Sequence, residues 1–303
     1  MLSFIINKND AGKRADKFLL RATDAPASLI YRAFRRKDIK VNKKWIKESY
    51  ILTEGDELAA YISDEFAKKE KTVSAPAEVD IVYEDENIAV MNKPKGLPSQ
   101  PDKAHSDALS ERFKAYLSKK GEYRPSEENS FSPALCNRLD TNTAGLVIGA
   151  KNALALREMN EAIKARRVRK FYLCRTVGTP SPASATINST ISKDRETNRS
   201  TVGEGGKEIS TTYRVLKSDG DTAIVEIELH TGRSHQIRAQ MAAIGHPLVG
   251  DGKYGAGPAQ GGQELTAYKI AFMTDSGLLR YLAGKEIKIP LQGTDALQRD
   301  SIH

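Results

Sequence analysis

A polar segment with no hydrophobic periodicity, from residue 64 to residue 79, divides this chain into a short and a long part. The segment is rich in Lys, Glu, Ser and Ala and contains Pro76, a composition typical of linkers. Because such a segment buries little surface, each flanking part must form a core of its own. The sequence therefore predicts an N-terminal domain over residues 1–63, a linker over 64–79 and a second domain over 80–303.

The composition indicates a globular protein with a positive charge balance. Hydrophobic residues make up 39% of the 303 residues and charged residues 28%, which argues against a disordered chain. No apolar run is long enough to cross a bilayer, no secretory signal begins the chain, and two cysteines cannot staple this fold. We therefore expect a cytoplasmic protein without a membrane partner. The 47 Lys and Arg residues exceed the 39 acidic residues, and the net charge of +8 favours a polyanionic partner.

The excess positive charge is concentrated between Arg32 and Lys47, a stretch in which Asp38 is the one acidic residue. A solvated helix face usually mixes charges of both signs, whereas a cluster of one sign favours phosphate binding. Apolar residues at helical spacing predict the buried face of a helix here: Ile30, Ala33 and Phe34. The basic residues that we expect to bind phosphates are Arg32, Arg35, Arg36, Lys40, Lys43 and Lys44. A solvated surface helix without a ligand is the alternative.

Short elements of both types predict an α+β fold. In the first part, two amphipathic helices precede strands over residues 39–41 and 57–62. In the second part, we expect helices over 106–119 and 152–165, and strands over 81–83, 88–91, 146–148, 171–177 and 224–229. The charged, Gly-rich stretch 189–210 shows no period that predicts an element.

Asp140 lies in a loop rich in Thr, Asn and Gly, directly before the strand that begins at Leu146. An isolated Asp in such a loop most often caps the turn. A second polar segment, from Leu229, turns at Gly232 and opens a helix for which Ser234 is the predicted N-cap.

The helix after Ser234 has a predicted buried stripe formed by Ile237, Met241 and Ile244. Arg238 lies next to that stripe, at the edge of the core. A partly buried Arg needs a carboxylate partner, and Asp140 is a candidate for that partner.

Four segments, in order along the chain, resemble motifs of the RluA family of pseudouridine synthases. They are Tyr83–Pro101, Asn137–Leu146, Arg169–Gly178 and Leu229–Gly255. The segment from Lys13 to Ile62 resembles the small RNA-binding domain shared with small-subunit ribosomal protein four. The resemblance implies an α+β protein, with a mixed, largely antiparallel sheet in the catalytic domain and a small α+β RNA-binding domain before it.

The family resemblance also implies a reaction on RNA, in which the N-glycosidic bond of a uridine breaks, the uracil turns and a carbon–carbon glycosidic bond forms. By resemblance, Asp140 is the essential carboxylate, as nucleophile, base or electrostatic stabiliser. Tyr172 would stack on the base or relay a proton, and Arg238 would hold Asp140 ionised and oriented. Arg138 and Arg233 are assigned to RNA binding. Large-subunit ribosomal RNA is favoured over transfer RNA, and we expect a monomer with no cofactor or metal.

Three positions depart from the family pattern. Asn137 and Ala144 stand where many members carry His and Ser, and Lys43 stands where the RNA-binding domain often has a turn Gly. We expect changed hydrogen bonds in the catalytic loop with activity retained, and Lys43 argues against a hairpin at its own turn.

Three other interpretations compete with this one. His230, His235 and His246 could be offered as metal ligands, but their spacing matches no common zinc signature. Asp140 and Asp251 could be the paired carboxylates of a glycosidase, which would release free base. A non-catalytic, ribosome-associated RNA-binding protein would tolerate mutation of Asp140 without loss of RNA modification.

Overall fold

The computed structural model describes residues 1–68, 75–102, 105–194, 197, 199–203, 205–255, 257 and 262–290. The predicted linker and the predicted end of the second domain at residue 303 lie partly outside these ranges. Within the described residues, the chain forms a four-stranded sheet near its N-terminus and an eleven-stranded sheet after it.

The N-terminal segment consists of two helices and four strands, and all of these elements except β3 contribute to one hydrophobic cluster. Their bounds are α1 (Ala15–Ala22), α2 (Ala27–Arg35), β1 (Leu2–Ile5), β2 (Ile39–Val41), β3 (Lys44–Trp45) and β4 (Glu57–Ala60). The strand order is β1-β4-β2-β3, and every pair is antiparallel. Phe18, Ile30 and Phe34 are buried, as the helical spacing predicts. Hydrophobic periodicity does not predict β1, which pairs along β4.

The turn between β2 and β3 is formed by Asn42 and Lys43, whose φ angles are +48° and +66°. Two residues in this left-handed region form the turn that fits the twist of a hairpin. Asn42 favours the turn because its side chain accepts a hydrogen bond of 3.0 Å from the backbone N–H of Glu57. The hairpin therefore forms although Lys43 stands in place of the turn Gly.

Residues 64–67 pack with the N-terminal segment, past the predicted boundary at residue 63. A 3-10 turn covers Asp64–Phe66, and Phe66 is partly buried against the N-terminal cluster. Ala67 then forms an isolated β-bridge with Thr23.

The long part of the chain is a mixed, largely antiparallel sheet with three α-helices among the described residues, which confirms the predicted fold class. The strands are β5 (Ile81–Glu84), β6 (Ile88–Lys93), β7 (Ala134–Leu135), β8 (Ala144–Ala150), β9 (Val168–Val177), β10 (Ser184–Asp194), β11 (Arg199–Val202), β12 (Lys207–Ser218), β13 (Thr222–Leu229), β14 (Leu265–Phe272) and β15 (Glu286–Lys288). The helices are α3 (Leu109–Lys119), α4 (Ala153–Lys164) and α5 (Gln236–Ala243). In the described ranges, no helix combines the length and the apolar character needed to cross a membrane.

The sheet order is β11-β10-β12-β13-β9-β14-β8-β6-β5, with β7 added to β8 and β15 added to β14. The contact between β8 and β14 is parallel, and it needs a glycine. A Cβ on Gly145 would lie 2.2 Å from the carbonyl oxygen of Ala267, where no side chain can fit. This contact brings the chain just after Asp140 against β14.

Two sequence-based expectations about helix α5 are wrong. The N-cap is His235, with φ at +54°, and not Ser234. The helix ends at Ala243, so Ile244 lies beyond it and is 37% exposed, although Ile237 and Met241 are buried as predicted.

A polar contact joins residues 7–13 to the loop 121–132. The fully buried Asp10 carboxylate accepts hydrogen bonds from Asn129 Nδ2 at 2.8 Å and from Ser130 Oγ at 2.5 Å. Asn9 Nδ2 donates to Glu128 Oε1 at 2.6 Å. Burial raises the pKa of the Glu128 carboxyl, and the amides of Asn9 and Asn7 oppose this shift. The N-terminal segment is therefore held against the large sheet by directional bonds.

Candidate active site

An open cleft of about 580 Å³ lies over β9, in the middle of the strand order of the large sheet, and is surrounded by three loops. They follow β6, precede β8 and connect β13 to α5. Asp140, Tyr172 and Arg238, which the sequence assigns to one site, all line this cleft. Arg138 and Arg233 also line it and are exposed at its rim.

Arg238 bridges two carboxylates. Its Nε and Nη2 donate to Asp251 at 2.7 and 2.8 Å, and its Nη1 donates to Asp140 Oδ2 at 3.1 Å. The predicted pairing of Arg238 with Asp140 is confirmed, and Asp251 is a second partner that the sequence did not indicate. Arg238 and Asp251 are 8% and 1% exposed, so this pair is a buried anchor beneath the cleft. Burial alone would raise the pKa of the Asp251 carboxyl, but the Arg238 guanidinium outweighs it and lowers that pKa.

Lys93, at the end of β6, holds the loop that carries Asp140 through a hydrogen bond to Thr141. Lys93 is fully buried, and its Nζ donates to the carbonyl oxygens of Pro94, Leu97 and Thr141 at 2.8, 2.7 and 2.9 Å. Burial lowers the pKa of the Lys93 ammonium to about 8, although the Asp140 charge opposes the shift. Sequence reasoning missed this residue, and its one signal is the position of Lys93 just before a proline turn.

Hydrogen bonds of two further side chains join the same loop to the loop after β6 and to β8. Ser99 Oγ donates to the carbonyl of Leu139 at 2.7 Å and accepts from the N–H of Leu139 at 3.0 Å. Asn137 Oδ1 accepts from the N–H of Ile148 at 2.8 Å, so its amide acts as a pairing partner for β8. Asn137 thus supports the loop beside β8.

Tyr172 lies on β9, opposite Ile227 of β13 and Ala267 of β14. Only 5% of it is exposed, and this exposed part borders the cleft. Burial and the charge of Asp140 raise the pKa of the Tyr172 phenol well above its usual value. This favours the neutral phenol, the form that can stack on a base.

His235, which the sequence offered only as a metal ligand, faces the same carboxylate. Its Nε2 lies 3.9 Å from Asp140 Oδ2, and its Nδ1 lies 3.0 Å from the hydroxyl oxygen of Tyr254. That hydroxyl accepts the N–H of Ser200 at 2.8 Å, so its own proton can be donated to His235 Nδ1. With that hydrogen bond, a neutral imidazole carries its proton on Nε2, towards Asp140. Burial lowers the pKa of His235, and the nearby Asp140 charge opposes this.

The remaining predicted RNA-binding residues lie on the N-terminal segment and do not line the cleft. Arg32, Arg35 and Arg36 are exposed on or just after α2, and Lys43 and Lys44 are exposed at the β2–β3 hairpin. Lys40 is half-buried on β2.

The rival site interpretations do not fit this geometry. The three histidines bind different partners: His230 contacts Thr212, His235 contacts Tyr254 and His246 contacts a backbone carbonyl. In the part of the chain that is described, no group of three or more His, Cys, Asp or Glu side chains is arranged to hold a metal ion. Asp251 is buried and its pKa is lowered, so it cannot serve as the proton-donating acid of a glycosidase.

Comparison with known proteins identifies the family. Residues 87–243 match the sequence model of the RNA pseudouridylate synthase family. The chain is 30% identical to an uncharacterized RNA pseudouridine synthase of Mycoplasma capricolum, over 95% of this chain and 97% of that protein. It is also 30% identical to ribosomal large subunit pseudouridine synthase C of Vibrio vulnificus, over 82% of this chain and 79% of that protein.

A solved structure agrees with this at the level of the fold. Human RNA pseudouridylate synthase domain containing 1 aligns with a TM-score of 0.56 at 24% identity, over 76% of this chain and 89% of that one. The chain described here, with its cleft over a mixed sheet, belongs to the RNA pseudouridylate synthase family, as its motifs predict.

Proposed function

We propose that this RNA pseudouridine synthase modifies uridines of large-subunit ribosomal RNA and that Asp140 is its catalytic carboxylate. One observation carries the proposal. Asp140 lines a cleft that has arginines at its rim, and the buried Arg238–Asp251 pair holds the Asp140 carboxylate in place through a hydrogen bond from Arg238. The similarity to the Vibrio vulnificus enzyme, which is named for the large ribosomal subunit, supports the substrate class.

The isomerisation needs a carboxylate at the ribose and no external reactant. The bond between C1′ and N1 of uridine breaks, the uracil turns, C5 bonds to C1′, and the C5 proton is lost while N1 gains one. Asp140 assists at the ribose as nucleophile or as base. Because Arg238 and His235 both approach Oδ2 of Asp140, we assign Oδ1 to the substrate.

Tyr172 is the side chain that we assign to the extruded base. A uridine stacked in a helix cannot present its ribose to Asp140, so the base must leave the stack at a cost of a few kcal/mol. We expect Tyr172→Phe to keep substantial turnover, because the ring and its stacking remain, and Tyr172→Leu to lose most of it. Turnover of purified enzyme on an unpaired-uridine substrate measures both.

The two Tyr172 variants separate three roles. Loss of turnover in both variants would indicate that Tyr172 acts by transferring its hydroxyl proton. Wild-type turnover in Tyr172→Leu would place Tyr172 in the core alone and contradict the assignment.

We also propose that the N-terminal segment is an RNA-binding domain like that of small-subunit ribosomal protein four, in a monomeric, cytoplasmic enzyme. The exposed basic side chains of α2 and of the β2–β3 hairpin support this, since Lys and Arg clusters dominate affinity for the phosphate backbone.

The substrate assignment is tested by mapping pseudouridines in cells with and without the gene, by carbodiimide-dependent stops of reverse transcription. We expect stops in large-subunit ribosomal RNA to disappear without the gene and to return when it is restored. If stops disappear only from transfer RNA, the enzyme keeps its reaction and the proposed substrate is wrong.

A further inference from the structure

The four-stranded sheet of the N-terminal segment has an open face that carries large apolar side chains. Burial alternates along β2 and β4, so one face of the sheet packs on the helices and the other contacts solvent. On or beside this sheet, Trp45 is 43% exposed, Tyr61 is 50% exposed and Ile5 is 72% exposed. Exposed aromatic residues of this size are common at binding surfaces.

Lysine side chains lie against both exposed rings. Lys37 Nζ lies 5.2 Å from the centroid of the Trp45 ring, and Lys40 Nζ lies 5.0 Å from the centroid of the Tyr61 ring. In the sheet register, Lys40 stands directly opposite Trp45, so it lies on the same face as both rings. Lys40 and Tyr61 also line a shallow cleft of about 410 Å³ together with Ile5, Lys43 and Glu57.

We propose that this open face, with Trp45 and Tyr61 as stacking surfaces, binds unpaired nucleotides of the RNA substrate. The proposal rests on RNA binding by the N-terminal segment and adds the conformation of the RNA. Unpaired bases expose their π-faces and stack on aromatic side chains, while the adjacent lysines match the phosphates. A duplex hides its base faces, so it cannot use the two rings. An acidic peptide would match the lysines but would leave the rings without a flat partner.

The chain contains a single tryptophan, so Trp45 reports directly on this surface. The full-length protein is titrated with a short oligouridylate and, separately, with an RNA duplex of the same length. We expect saturable quenching of Trp45 fluorescence by the oligouridylate and little quenching by the duplex. Equal quenching by both would overturn the choice of unpaired RNA, and no quenching by either would overturn the site.

Ring-keeping and ring-removing variants test the mechanism, with affinity measured by anisotropy of a labelled oligouridylate. Stacking on an aromatic side chain predicts that Trp45→Leu and Tyr61→Leu each weaken binding by about fivefold or more. Trp45→Phe and Tyr61→Phe should bind more tightly than their Leu counterparts. Because both residues are exposed, thermal unfolding should be unchanged in all four. Ile51→Ala, which removes another exposed apolar side chain of the same segment, is the matched control.

A charge variant distinguishes nucleotide binding at the open face from RNA binding by the N-terminal segment as a whole. Replacing Arg32, Arg35 and Arg36 together with Ala should weaken binding and flatten its salt dependence, because phosphate contacts are lost. If this variant loses affinity and the two Leu variants do not, the segment binds RNA but the open face is not the site. If none of the variants loses affinity, the segment itself does not bind RNA.

Discussion

Replacing Asp140 with Asn should lower pseudouridine formation by at least about a hundredfold, the lower range for a group that moves a proton in the reaction. Asn keeps the size of the side chain and removes the charge that the ribose chemistry needs. Arg238 retains its two bonds to Asp251, so the fold should persist. RNA affinity should also persist, because no positive charge is lost. Release of tritium from C5-labelled uridine in RNA measures the turnover of purified protein.

The matched control is Asp275→Asn. Asp275 also accepts from an arginine, Arg167 Nη1 at 2.9 Å, but it is exposed and does not line the cleft. This variant should turn over at the wild-type rate. Turnover by Asp140→Asn at a rate near that of the control would remove Asp140 from the chemistry.

Replacing Asp251 with Asn should damage both the stability and the activity of the enzyme. Removing one partner of a buried ion pair costs up to about 3–5 kcal/mol in the free energy of unfolding, and here Arg238 would keep only its single bond to the Asp140 carboxylate. Arg238 would then also lose the pair of bonds that aims it at Asp140. A shift of the carboxylate by about an ångström can cost a hundredfold in turnover. Urea unfolding and turnover of the folded fraction at low temperature measure the two effects separately.

Glu228→Gln is the control, because it breaks a bidentate Arg–carboxylate pair of similar geometry that is less buried. Glu228 accepts from Arg169 Nε and Nη2 at 2.6 and 2.8 Å, a bidentate pair like that of Asp251. The Arg169 side chain is 46% exposed, so this pair should contribute no more than about 1 kcal/mol. If Asp251→Asn unfolds at the same urea concentration as Glu228→Gln, the buried pair is not the anchor described above.

That three candidate site residues share one cleft could be predicted because each of them lies in a sequence motif. Asp140, Tyr172 and Arg238 lie far apart in the chain, and the sheet brings all three to one cleft. Electrostatics made Asp140 one candidate partner for Arg238, since a partly buried guanidinium needs a carboxylate, and the family resemblance supplied the pairing itself.

Lys93 and Asp251 also lie in two of these motifs, but their roles arise from tertiary burial and could not be recognised from the sequence. A lysine before a proline and an aspartate in a Gly-rich turn are ordinary surface residues in most sequences. Here Lys93 is fully buried and binds three carbonyls, and Asp251 is buried against Arg238. Likewise His235 takes a left-handed backbone at the start of α5, which displaces the predicted N-cap from Ser234.

The stretch 189–210, for which no element was predicted, forms parts of β10, β11 and β12. Its strands are rich in Ser, Thr and charged residues, and exposed positions dominate β10. Ile191 and Ile209 are buried where the stretch packs beside α5, too few apolar positions for a clear alternating pattern.

The polar contact between residues 7–13 and the loop 121–132 has a consequence for target choice. Hydrogen bonds to the buried Asp10 carboxylate are directional, so they restrict how the N-terminal segment can turn against the loop 121–132. An RNA that touches the N-terminal segment and the cleft at once must present those two points at a set separation. The enzyme would then select a uridine by its distance from the nucleotide bound at the N-terminal segment, more than by the bases beside that uridine.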